Sequence, residues 1–127
     1  MAARVRLARL AGAYTVCRLD PSSPIPGWAD GEGFSSISRS DDELSIVCRA
    51  ERVPAGVRQD GGWACYKFIG PFAFDETGIV SAVIGPLSAA GIGIFVVSTF
   101  DGDHMLIKQR DVERAEPVLA AAGHALV

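Results

Sequence analysis

Residues 91–108, GIGIFVVSTFDGDHMLIK, bring Ser98, Thr99, Asp101, Asp103 and His104 within seven positions. Serine, histidine and aspartate are the residue types of nucleophilic catalysis. Here they lie on two strands of one hairpin, with neither the strained elbow that exposes a nucleophile nor an evident oxyanion donor. Asp101, Asp103 and His104 also offer oxygen and nitrogen ligands, but one short D-x-D-H run lacks the further ligands a metal site needs. No catalytic residue and no metal ligand is therefore assigned. A short hairpin requires only Gly102 and one aspartate, because Asp-Gly supplies the positive φ of the turn. The remaining polar groups either cap that turn or face a ligand.

The elements on either side must hold this hairpin. In residues 74–91, FDETGIVSAVIGPLSAAG, the positions Ile79, Val80, Val83, Ile84 and Leu87 recur at three- and four-residue intervals. That spacing predicts an amphipathic helix. Asp75 or Thr77 can accept from its first-turn N–H groups, and Gly91 supplies a left-handed C-cap. Pro86 removes one backbone bond, so a bend or a tightened last turn is expected there. Gly91-x-Gly93 follows a helix rather than a strand and so fails the dinucleotide-binding fingerprint. A second helix is expected from Asp111, with Val112, Ala115, Val118 and Leu119 on one side and a stop near Gly123. His124 reads as a helix-end histidine, followed by a short strand.

The first half is built differently. AYTVCRL (13–19) is a strand, and DPSSPIPGWADGEG (20–33) holds too many prolines and glycines for a regular helix. FSSISRSDDELSIVCRA (34–50) alternates as a hairpin around Ser40-Asp41-Asp42. One helical turn is expected within 51–62, and WACYKFIG (63–70) is another strand. Trp28 and Trp63 read as packing residues, with Trp28 also placed to cover a site edge. The whole order is a βαββαβ pattern run twice, the first time with both helices reduced, and WACYKFIG closes one copy while opening the next. The expected fold is α+β: tandem ferredoxin-like units at 11–62 and 63–127, antiparallel sheets with helices on one face.

Composition narrows the function classes. The 127 residues are 49% hydrophobic and carry a net charge of -3, which gives no electrostatic footprint for nucleic acid. Arg4, Arg6 and Arg9 read as a solvated face or frayed arm. No apolar run approaches the ~20 residues that span a bilayer, and no secretory signal pattern opens the chain, so a cytoplasmic protein without membrane contact is expected. Cys17, Cys48 and Cys65 are odd in number and each lies in an apolar run, which reads as buried thiols.

These segments together resemble the small bacterial ACT-domain proteins related to the cytosolic arginine sensor of the mTOR-complex pathway, and more distantly the regulatory ACT pairs of aspartokinases. The resemblance rests on CRLDPSSPIPGWA, FSSISRSDDELSIVC with ERVP, ETGIVSAVIGPLSAAGIGIFVVSTFDGDHMLIK and DVERA. It implies a non-enzymatic module that binds an amino acid or similar small effector and needs no cofactor. The family's site falls on Glu76, Thr77, Gly78 and Ile79 before and within the first helix, on the strand edge Gly93 and Ile94, and on the hairpin rim Thr99, Phe100 and Asp103. A complete site between equivalent units implies a homodimer. The alternative is a structural or interaction module that dimerises without a ligand.

Overall fold

The computed structural model describes residues 3–70, 72 and 77–127. In chain order its elements are β1 (Arg6–Arg9), β2 (Tyr14–Leu19), β3 (Ser36–Arg39), β4 (Leu44–Arg49), β5 (Gln59–Ile69), α1 (Ile79–Ala89), β6 (Ile94–Ser98), β7 (Asp103–Lys108), α2 (Val112–Ala121) and β8 (Ala125–Leu126). They form two units: Ala11–Trp63, and the residues up to Leu10 together with Ala64–Val127.

Within Ala11–Trp63 the strand order is β3-β4-β2-β5, antiparallel throughout, with β2 and β4 in register from Tyr14↔Arg49 to Leu19↔Leu44. This is the order of a split βαβ unit whose helices have shrunk to single 3-10 turns at Gly27–Ala29 and Ala50–Arg52. Cys17, Leu44, Ile46 and Cys48 bury one face of the sheet beneath Ala29, with Trp28, Val53 and Val57 packed against them. The Pro- and Gly-rich loop is held by arginines rather than by a helix. Arg52 donates from Nε to the Trp28 carbonyl at 3.1 Å, from Nη1 to the Glu32 carbonyl at 2.7 Å and from Nη2 to Ser35 Oγ at 3.1 Å. A Cβ at Gly31 would sit 2.8 Å from Arg52 Nε, so a side chain there would have to displace this guanidinium.

In the other unit the strand order is β8-β1-β5-β7-β6. β1 pairs antiparallel with β5 and parallel with β8, where Arg6 aligns with Ala125 and Leu7 with Leu126. Of the two readings of the arginines, the solvated face holds, with Arg4, Arg6 and Arg9 exposed, while the segment itself is an inner strand and not a frayed arm. Val5 and Leu7 turn into the core while Arg6 and Arg9 stay exposed, so two inward side chains suffice to seat it. One face of the sheet (Leu7, Ala64, Tyr66, Phe68, Met105, Ile107) packs against Val83 and Leu87 of α1 and Val112, Ala115 and Leu119 of α2. Fully burying each of the larger apolar side chains contributes about 1.5–3 kcal/mol.

Both helices stop by the same device. Gly91 (φ 75°) and Gly123 (φ 95°) take left-handed conformations one residue past the helix cap. In α1, Gly91 N–H donates to Ser88 and Ile92 N–H to Leu87; in α2, Gly123 N–H donates to Ala120 and His124 N–H to Leu119. That pair of bonds is a Schellman motif, and Ile92 packs with Leu87 beneath the first of them.

Candidate functional site

At the other end of α1 the chain enters through Gly78, the N-cap residue, which has a φ of 81° and gives no side-chain cap. A Cβ on Gly78 would meet nothing within 4 Å, so conformation, not crowding, requires glycine here. Thr77 is therefore not the cap, and Asp75, like Glu76, lies outside the described residues. The first-turn N–H groups of Ile79, Val80 and Ser81 precede the first i→i−4 bond, which Ala82 N–H makes to the Gly78 carbonyl at 3.0 Å. They form a positive, hydrogen-bond-donating end that favours an anion.

Facing this end is the β6–β7 hairpin. Its loop, Thr99–Gly102, has four residues rather than two. Thr99 closes it twice, donating to the Gly102 carbonyl from its N–H at 2.7 Å and from Oγ1 at 2.9 Å. The expectation that Gly102 supplies a positive φ is not met, because a four-residue loop turns the chain without any left-handed residue. A Cβ at Gly102 would make only ordinary contact, 3.4 Å from Phe72 Cδ2. Ser98 and Asp103 are direct cross-strand partners, and the serine hydroxyl donates to the carboxylate. Ser98, Thr99 and Asp103 thus answer part of one another's bonding needs, whereas Asp101 is exposed and makes no hydrogen bond or ion pair among the described residues.

Helix end and hairpin enclose one cavity of about 290 Å³, with Phe72 in its wall. Of the residues expected from sequence, Gly78, Ile79, Thr99, Phe100 and Asp103 line it. Val80, Ser81, Ser98, Asp101 and Gly102 line it as well. Phe100 stands at its mouth, 77% exposed. Gly93 and Ile94 are at the opposite end of β6 from Ser98 and do not line it; Gly93 is exposed, with no atom within 4 Å of a Cβ placed there. β6 is paired on one side only, with β7, among the described residues. Of the residue types of nucleophilic catalysis, Ser98 donates to Asp103 and His104 is the cross-strand neighbour of Val97. No group of three or more His, Cys, Asp or Glu among the described residues could hold a metal ion.

Known proteins resolve the family. Residues 59–121 match the ACT domain model, and residues 12–56 match a second family model for an N-terminal domain. The chain belongs to the ACT-domain family. A protein from Agrobacterium tumefaciens solved by X-ray crystallography is 61% identical, covers 99% of this chain and 94% of its own, and superposes with a TM-score of 0.95. The cytosolic arginine sensor for mTORC1 subunit 1 from Homo sapiens is 43% identical over 106 residues, which make up 77% of this chain but only 31% of that protein. This ACT chain therefore spans about a third of the length of the curated relatives it matches. The regulatory subunit of aspartate kinase from Thermus thermophilus shares the fold at 10% identity, with a TM-score of 0.59 over 91% of this chain. No helix among the described residues is long and apolar enough to cross a membrane.

Proposed function

We propose that the chain is a non-enzymatic ACT regulatory module whose effector is a free amino acid, held between the N-terminal end of α1 and the β6–β7 hairpin. One observation carries this reading: the cavity has open N–H donors at Ile79–Ser81 on one wall and the carboxylates of Asp101 and Asp103 on the other. A zwitterion matches that polarity, with its carboxylate at the helix end and its ammonium, or a guanidinium, at the aspartates. The arginine sensor among the relatives makes arginine the first effector to test. In this reading Glu76 and Thr77 extend the helix-side wall. Gly93 and Ile94 present the strand edge to a second copy, so that the working form is a cytoplasmic homodimer.

Melting the full chain against each common amino acid tests the reading. A ligand that binds only the folded form at a hundredfold excess over its Kd adds about 2.7 kcal/mol of stability. Absence of any shift, together with a dimeric mass in light scattering, favours the second reading, a dimerisation module without ligand. The one-sided, largely apolar β6 edge (Ile94, Phe95, Val96, Val97) is what speaks for that alternative.

A further inference from the structure

A second cavity, of about 380 Å³, opens on the other side of the same hairpin, lined by Lys67, Ile69, Thr99, Asp101, Asp103 and His104 together with backbone neighbours. Strand alternation fixes which side this is. Tyr66 and Phe68 of β5, and Met105 and Ile107 of β7, point into the core beneath the helices. Lys67, Ile69 and His104 therefore project from the sheet face that carries no helix. Lys67 is exposed, and its ammonium makes no ion pair among the described residues, although Asp101 lines the same cavity. The cavity thus has a cation at Lys67, a carboxylate at Asp101 and the half-buried apolar Ile69 in its lining.

We propose that this cavity is a second small-molecule site, selective for a zwitterionic amino acid with a neutral, apolar side chain. Its carboxylate meets the Lys67 ammonium, its ammonium meets Asp101, and its side chain lies on Ile69. A basic side chain is rejected by Lys67 and an acidic one by Asp101. Because Thr99, Asp101, Gly102 and Asp103 form a wall of both cavities, a ligand in one changes what the other can bind. The inference does not depend on the helix-end site, since Lys67, Ile69 and His104 do not line the first cavity.

The test is a two-dimensional amide NMR titration of the full chain with L-leucine into the millimolar range. The expected result is saturable shifts at the Lys67, Ile69 and His104 amides. In Lys67→Met, which keeps the stem of an exposed side chain, the same shifts should require at least about tenfold more leucine. Unmoved signals at these residues overturn the second site, whatever happens at Ile79–Ser81. Shifts confined to Ile79–Ser81 leave the helix-end reading standing alone; shifts confined to Lys67 and His104 leave this site standing without it. Shifts at Lys67 and His104 that survive unchanged in Lys67→Met also overturn the assignment.

Discussion

His124 fills the gap that Pro86 leaves in helix α1. Proline at 86 has no N–H to offer the Ala82 carbonyl one turn back, and His124 Nε2 donates to that carbonyl at 2.7 Å. The tautomer follows from the other ring nitrogen, since Nδ1 accepts from the Val5 N–H at 3.0 Å. One buried imidazole thereby ties α1, the C-terminal end of α2 and the start of β1. His124→Ala should cost about 1–3 kcal/mol for each backbone group left unpaired. Adding Pro86→Ala should restore part of this loss, because an alanine in place of the proline brings its own N–H to the Ala82 carbonyl. Urea midpoints of the four combinations test the coupling; strictly additive effects would show that the two residues act separately.

Asp103→Asn separates the two roles of the hairpin carboxylate. An asparagine oxygen can still accept from Ser98, so the ligand-free melting point should move little. Loss of a charge-assisted bond to an ammonium costs about 1.5–3 kcal/mol, enough to remove most of an effector-induced shift. A lower ligand-free melting point with an unchanged effector shift would make Asp103 only the partner of Ser98.

Gly93→Val tests the strand edge. Gly93 lies outside the left-handed region and has open space around it, so valine should fold normally and strengthen the strand. If a second copy or its ligand closes on this edge, dimer mass or effector affinity should fall in light scattering and calorimetry. Unchanged values for both would remove Gly93 from the site.

Acid should weaken the fold through His104. Burial, and then the neighbouring Lys67 ammonium, hold this imidazole below its ordinary value of 6.5, with Asp103 pulling the other way. The unfolded chain takes up the proton first, so stability from this group is full above pH 6.5 and is lost as pH falls from there through the lower folded value. His104→Gln should flatten that part of the stability profile relative to the parent chain.

The three thiols should be silent in the native state. Burial raises Cys17 to about 11, with Cys48 nearby adding to it, and raises Cys65 to about 12; Cys48 is raised by burial too. A disulfide reagent at neutral pH should label none of them until denaturant is added. Labelling of the folded chain faster than its unfolding rate would contradict this.

Much of this was legible in the sequence because it is periodic. The stripe Ile79–Leu87 announces α1, and the reduced first βαββαβ follows from loops too rich in proline and glycine for helices. What stayed hidden depends on partners distant in the chain. The strand at Arg6–Arg9 is four residues long and has meaning only between β5 and β8. The grip of Arg52 on residues 28–35 leaves no local signature. Spacing located α1 and the hairpin as elements but not the four-residue loop, and the candidate residues on them came from the family resemblance. Spacing also held no sign of the cavity at Lys67, which appears only once each strand's faces are known.

The loop that closes on Thr99 and Gly102 has a consequence for how such a module diversifies. Its closing hydrogen bonds come from the Thr99 side chain and from backbone, and no residue in it is held in a left-handed conformation. Position 101, exposed and outside these bonds, can therefore vary with little demand on folding while it redraws the wall of the cavity. If the proposed effector site holds, preference can drift there faster than the scaffold does, and a library randomised at codon 101 would be a short route to a binder for another metabolite.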